Sequence, residues 1–231
     1  MSLENELEDT LKTINQGYYI NKKKERVVFG VSQDEMCKTT VFRPGEIYDL
    51  LDNERTTNDN GGWQVYLTGE DTLEAAERMY KKSPQKVVIL NFAHPKTPGG
   101  SVRRRVSLQQ EESLCLRSSL LLALESENTA EFYTTNGSSV LAGGSDIIAL
   151  TSQVLVVKDK TLQWLDHPFT VAVLSCVTPV VSPFSHHLED DDGEKTKMLY
   201  RRRIHSILSV MREMNYTRCV LGAFGCGAFR K

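Results

Sequence analysis

Leu3, Leu7, Leu11 and Ile14 recur at helical spacing, and the pattern predicts an N-terminal helix that Gly17 stops. Tyr18 to Val31 reads as two short extended pieces around the basic turn Lys22-Lys23-Lys24. Pro44 to Leu51 predicts a short helix with proline in its first turn. A polar loop from Asn58 to Gly62 follows, and Trp63 to Thr68 reads as a strand. Asp71 to Lys82 is rich in helix formers and ends in cations, as the helix dipole favours, and Ser83-Pro84 stops it. Val87 to Phe92 is a continuous apolar run with β-branched residues, the pattern of a strand covered on both faces. A helix over about Gln110 to Leu124 comes next. Val154–Val157, Thr170–Val177 and Arg218–Ala223 read as further buried strands. Between the last two, Lys197 to Met214 predicts a long helix whose apolar stripe is Ile204, Leu208, Met211 and Met214. Strand and helix alternate in the main body, which predicts an α/β fold: an open, largely parallel sheet with helices on both faces.

The chain of 231 residues, 40% hydrophobic, can bury one sizeable core, so a single domain over 1–231 is expected, with an N-terminal extension over about 1–60. The net charge of -2 gives no global attraction to nucleic acid or acidic membranes, so a polyanionic partner must be held by local groups. The acidic, amphipathic start is unlike a secretory signal, and no apolar stretch approaches the roughly 20 residues of a membrane span. Five scattered cysteines without a C-x-x-C pair read as reduced thiols, placing the chain in cytoplasm or nucleus. His186-His187, beside the acidic run Glu189 to Asp192, reads as a solvated loop, and neither metal nor cofactor is expected.

Ligands of such sheets sit in crevices outside the carboxyl ends of strands, and two glycine-bearing loops have that position. The first follows the Val87–Phe92 strand and reads AHPKTPGGSVRRRVSLQQEESLC. Gly99-Gly100 lets the backbone curl and point amides at an anion, and Gln110-Glu111-Glu112 opens a helix. Taken alone, those carboxylates serve the helix dipole as well as they serve a site. The second loop, Phe224-Gly225-Cys226-Gly227-Ala228-Phe229, could cradle phosphates through backbone amides, with Phe229 against a sugar or base. It lacks the Gly-Lys-Ser/Thr ending of a P-loop.

Together, NFAHPKTPGGS, QQEESLCLRSSL and LGAFGCGAF closely resemble the microbial type of poly(ADP-ribose) glycohydrolase. GYYI, TLEAAERM, YTTN at Tyr133 to Asn136 and VLVVKD at Val154 to Asp159 fall in the family's order, so the likeness spans about residues 10–230. The resemblance implies a macrodomain-like fold and metal-free cleavage of ribose–ribose bonds in poly(ADP-ribose) or on ADP-ribosylated protein, with ADP-ribose as product. It implies Glu112 as catalytic acid/base, Glu111 orienting the ribose hydroxyls, and Gln110 supporting the pair. Gly99, Gly100 and Ser101 would form the catalytic loop, and Asn91 would end the strand that presents the site. Gly225, Cys226, Gly227, Ala228 and Phe229 would hold the diphosphate and nearby ribose.

An oxocarbenium-like transition state needs a proton delivered to the departing ribose oxygen and then a base for water. A helix start favours the anion, whereas Glu111 and the substrate's phosphates favour the protonated acid, so substrate binding is expected to prime Glu112. Three features depart from the family pattern. Ser101 stands where a third glycine is usual, and its Cβ would obstruct a positive-φ backbone or its hydroxyl would serve a phosphate. Arg103-Arg104-Arg105 is either a solvated loop or a local gatherer of polymer phosphates. The sequence stops two residues after Phe229, where the family continues into a helix and strand, so a truncated C-terminus is expected. The alternatives to an active hydrolase are a weakened or inactive ADP-ribose-binding module and another nucleoside-diphosphate binder on the same fold.

Overall fold

The computed structural model describes residues 3–54, 64–83, 86–104, 108–139, 144–179, 191–224 and 226. Helix α1 (Leu3–Gln16) ends at Gly17, whose φ of 81° only glycine adopts freely. Strands β1 (Tyr18–Ile20) and β2 (Arg26–Val28) form an antiparallel hairpin around the lysine turn. A short helix α2 (Gln33–Met36), strand β3 (Thr39–Phe42) and helix α3 (Pro44–Glu54) follow. Helix α4 (Thr72–Lys82) starts at Asp71, whose carboxylate accepts the Leu73 and Glu74 amides, while Glu74 reaches back to the Asp71 amide. Then come β4 (Val87–Phe92), α5 (Gln110–Arg117), α6 (Leu120–Leu124), a 3-10 turn at Glu127–Thr129 and α7 (Ala130–Ser139). Strands β5 (Ile148–Lys158) and β6 (Trp164–Cys176), helix α8 (Asp191–Glu213) and strand β7 (Arg218–Val220) complete the described elements.

Five strands form one mixed sheet in the order β3-β5-β6-β4-β7. The half around β4 is parallel, to β6 and β7, and the half around β5 is antiparallel, to β3 and β6. The parallel share is thus smaller than helix–strand alternation suggested. The reason is local: Asp159 Oδ1 accepts the amides of Thr161 and Gln163 and closes a tight turn, so no crossover helix separates β5 from β6. Side chains alternate along the central strands. Val87 and Ile89 enter a core with Leu73, Ala76, Leu114, Leu121 and Phe132 on one face, while Val88 and Leu90 meet Ile47, Ile207, Val210 and Met211 on the other. Helices therefore cover both faces, as expected. A third cluster joins Ile14, Tyr19, Phe29 and Met36 to Leu155 and Val157, so the N-terminal extension is packed on β5.

Three expectations are corrected. The helix expected over Gln110 to Leu124 is broken, because Ser118 bridges Val156 and Ser119 exchanges hydrogen bonds with Leu155. Trp63 lies outside the described residues, and Gln64 to Thr68 forms no strand: Val65 is 90% and Leu67 101% exposed. An apolar run becomes a strand only where it pairs, and among the described residues Gln64 to Thr68 pairs with no strand of the sheet. Of the stripe expected on this helix, Met211 is buried, but Ile204 and Leu208, and Met214 just past the end of α8, are 42%, 37% and 38% exposed, and Arg203, Ile207 and Val210 face the sheet instead. The charge of Asp146 turns the helix. It accepts Arg203 Nε at 2.7 Å and Arg202 Nε at 2.6 Å, and Tyr48 donates to it at 2.7 Å. Arg203 also donates to the Val177 carbonyl.

Removing one partner of a buried ion pair leaves the other charge without compensation. Asp146→Ala is expected to destabilise the fold by about 3–5 kcal/mol, because Arg203 is fully buried. Arg202→Ala, half-exposed, should cost less than about 1 kcal/mol. Urea denaturation of the two variants measures the difference.

Candidate active site

The site is assembled at the carboxyl end of β4. Gln110 opens α5, and its carboxamide completes the strand: Oε1 accepts the Phe92 amide at 2.9 Å, and Nε2 donates to the Leu90 carbonyl at 2.6 Å. The helix start is thereby held against the strand end, and Glu111 and Glu112 follow directly. Both are buried, at 3% and 5% exposure.

Glu111 lies inward. Its Oε1 accepts Asn91 Nδ2 at 3.3 Å and its Oε2 accepts the His94 amide at 2.9 Å. Asn91 is held in turn by donating to Ser175 Oγ at 3.1 Å, and its own Oδ1 is buried without a hydrogen-bond partner. Burial pushes the Glu111 carboxyl up to about 8, outweighing the His94 amide and Asn91 donors, and the nearby Glu112 adds to the rise. At neutral pH the Glu111 carboxyl therefore keeps its proton.

Glu112 faces the glycine turn. Its Oε1 accepts both the amide and the hydroxyl of Ser101, each at 2.8 Å, and its Oε2 accepts the Gln109 amide at 3.1 Å. The last contact is also a helix cap. In the turn, Gly100 donates to the Thr97 carbonyl and Val102 to the Gly99 carbonyl, at 3.0 and 3.1 Å. Gly99 and Gly100 have φ of 67° and 60°. A Cβ on Gly99 would lie 2.7 Å from Leu121 Cδ1, and one on Gly100 would lie 2.6 Å from Glu112 Oε1. Both positions therefore require glycine, for backbone conformation and for space. Ser101 is not in the positive-φ region, so its Cβ carries no backbone strain, and its hydroxyl serves Glu112.

The other anticipated residues divide. Arg103 is engaged by Glu125 in a bidentate pair at 2.6 and 2.7 Å, which removes it from the supposed phosphate-gathering run. Arg104 is exposed, and Arg105 lies outside the described residues. Gly225, Gly227, Ala228 and Phe229 also lie outside them, as does the His186-His187 pair, while Cys226 is exposed. Among the described residues no group of His, Cys, Asp or Glu could hold a metal ion. The second loop does leave the sheet at the expected end: β7 runs parallel beside β4, and Phe224 packs on Phe92 with ring centroids 5.7 Å apart. A cavity of about 200 Å³ lined by Leu73, Arg117, Lys158 and Phe169 is at the opposite end of the sheet and shares no residue with this site.

Sequence reasoning missed Ser175, His94 and Gln109. Ser175 is on β6, remote in sequence, and nothing local marks it. His94 and Gln109 stand inside the quoted loop, and only their backbone amides join the site directly, a role no residue type announces.

The family description microbial-type PARG, catalytic domain, matches residues 7–159, two thirds of the chain. The chain belongs to this family. Solved structures of microbial-type PARG enzymes extend the likeness further. Poly(ADP-ribose) glycohydrolase from Thermomonospora curvata is 26% identical over 98% of this chain and 81% of its own, with a TM-score of 0.87. The same enzyme bound to the inhibitor ADP-HPD is 26% identical over 99% of this chain and 81% of its own, with a TM-score of 0.85. The Deinococcus radiodurans enzyme in complex with ADP-ribose is 28% identical over 88% of this chain and 80% of its own, with a TM-score of 0.77. No curated protein is significantly similar. Among the described residues no helix is long and apolar enough to cross a membrane.

The raised Glu111 carboxyl ties stability of this microbial-type PARG domain to pH. A group whose pKa rises on folding stabilises fully below its unfolded value, and that contribution is lost as pH rises through the folded one. The thermal midpoint should therefore fall as pH rises from about 4.5 to about 8 and then level. Glu111→Gln mimics the protonated acid and should flatten that slope in thermal unfolding. Gly100→Ala should displace both carboxylates and destabilise the fold by about 1–3 kcal/mol, read in the same assay.

Proposed function

We propose that this chain is a glycohydrolase that cleaves ribose–ribose O-glycosidic bonds of poly(ADP-ribose) and releases ADP-ribose, with Glu112 as general acid and then base. The observation that carries the reading is the pairing of two buried, adjacent carboxyls under a glycine turn at the end of β4, one of them held protonated near neutral pH. Family membership points to the bond, and the geometry supports the roles proposed for the residues. Glu112, whose oxygens are held by Ser101 and Gln109, takes up a proton when the substrate's phosphates settle beside it, delivers that proton to the departing ribose oxygen as charge develops at the sugar carbon, and recovers one from the attacking water. Glu111, protonated and anchored by Asn91 and the His94 amide, both donates and accepts, as a group that orients vicinal hydroxyls must. The buried Asn91 Oδ1 offers one further acceptor for such a hydroxyl. Gln110 supports the pair through the strand. Gly99, Gly100 and Ser101 form the catalytic loop, and residues 225–229 hold the diphosphate and its ribose through backbone amides.

The Ser101 hydroxyl does not weaken this assignment, since it lies on the acid rather than across a strained backbone. Poly(ADP-ribose) and ADP-ribosylated protein are the partners this site suits, free ADP-ribose the product; with a net charge of -2, direct nucleic-acid binding is not part of the reading.

Glu112→Gln keeps the size of the side chain but cannot exchange a proton, and its single carbonyl oxygen can accept from Ser101 or from the Gln109 amide, not both. It should lose about 10²–10⁴ in the rate of ADP-ribose release from poly(ADP-ribose), with calorimetric affinity for ADP-ribose nearly unchanged. Most of the activity surviving in this variant would remove Glu112 from its role. Affinity without turnover in the unaltered protein would make the chain a binding module instead.

A further inference from the structure

His94 stands between the end of β4 and the glycine turn, with a half-buried ring. The ring Nδ1 accepts two backbone amides, Lys96 at 3.1 Å and Thr97 at 2.9 Å. A ring nitrogen that accepts carries no proton, so this imidazole is neutral, with its hydrogen on Nε2. The tie continues from there. The carbonyl of Thr97 accepts the Gly100 amide at 3.0 Å, and the next amide, Ser101, donates to Glu112 Oε1 at 2.8 Å. The amide of His94 itself donates to Glu111 Oε2 at 2.9 Å. One residue therefore touches the buried carboxyl through its backbone and, through its ring, closes the turn that presents the acid.

We propose that His94 is a positioning residue for the glycohydrolase reaction: its neutral ring holds the 94–97 turn that sets Gly100 and Ser101 against Glu112, and protonation of the ring releases that turn. Protonation converts Nδ1 from acceptor to donor and aims its new hydrogen at two amide hydrogens, so both bonds must break. The charged groups facing the ring come from its own loop and from α5. Glu112 favours the cation; Arg104 and Lys96 oppose it; burial, the largest influence, also opposes it and holds the imidazole below its usual value. Glu111 meets only the backbone amide and is itself neutral until about pH 8. Helix α7 approaches this loop at Gly137, beside the aliphatic stem of Lys96. A group whose pKa falls on folding supports structure above that value and withdraws the support as pH drops through it. The switch therefore opens on the acid side.

This inference rests on the glycohydrolase reading, and the experiment separates the two. Steady-state release of ADP-ribose from poly(ADP-ribose) is measured across about pH 4.5–8, a range that spans imidazole titration, for the full chain, His94→Asn and His94→Ala. Protection factors of the Lys96 and Thr97 amides are followed over the same range without substrate. The unaltered protein should lose kcat by about tenfold or more on the acid limb with little change in KM, and protection at both amides should fall together with it. Asparagine offers an oxygen that accepts the same amides and does not titrate, so His94→Asn should keep its activity through that limb. His94→Ala should be slow throughout. An acid limb that persists in His94→Asn, or protection at Lys96 and Thr97 that does not change across it, overturns the proposal. Absence of turnover at every pH removes the glycohydrolase reading, and the protection factors then still decide whether the ring holds the turn.

Discussion

The carboxamide of Gln110 is the joint on which the site depends. It binds both a donor and an acceptor of β4, as a neighbouring strand would, and so anchors the first turn of α5 to the sheet. With the helix start held there, the next two side chains have nowhere to go but into the crevice beyond the strand. The crevice is covered by a turn that only glycine can make so close to them, since any Cβ on Gly100 would collide with Glu112. Burial, with a second carboxyl nearby, makes Glu111 keep its proton near neutral pH.

The hydrogen bonds of Glu112 also show how a carboxylate beside the glycine turn can serve as a helix cap. Glu112 satisfies the Gln109 amide, an end group that a helix leaves open, and simultaneously receives two donors from Ser101. Holding the carboxyl through two backbone amides and one hydroxyl gives it a defined position without adding another charge. The cost is that its placement follows the loop, and the loop's conformation is held by few contacts, one of them a titratable ring.

The rest of the fold serves to keep that strand end rigid. β4 is flanked on both sides by parallel neighbours, and its two faces lie in separate cores. On one of those faces a buried charge cluster, Asp146 with Arg203, sets the rotation of α8. This is a polar feature in an apolar layer, and it explains why the exposed side of α8 is as hydrophobic as it is: Ile204 and Leu208 lie where a purely apolar stripe would have put the core.

Sequence alone determined what is local. The VVILNF run had to be a buried strand, Gly99-Gly100 had to be a turn, and Gln110-Glu111-Glu112 had to open a helix; with their order and spacing, these made the family legible. The asparagine at the strand end, the glycine loop and both carboxylates stand where the residues indicated. What the tertiary structure decided is everything that depends on a distant partner. Ser119 left the helix pattern because Leu155 offered it sheet bonds; Gln64 to Thr68 formed no strand because it found no strand partner among the described residues; α8 turned because a carboxylate fifty-odd residues earlier drew in an arginine. That Glu111 would hold its proton near neutral pH was likewise undecidable from the chain, since burial is a property of the assembled molecule. Periodicity and turn chemistry act over a few residues, whereas desolvation and charge pairing act across whatever the fold brings together.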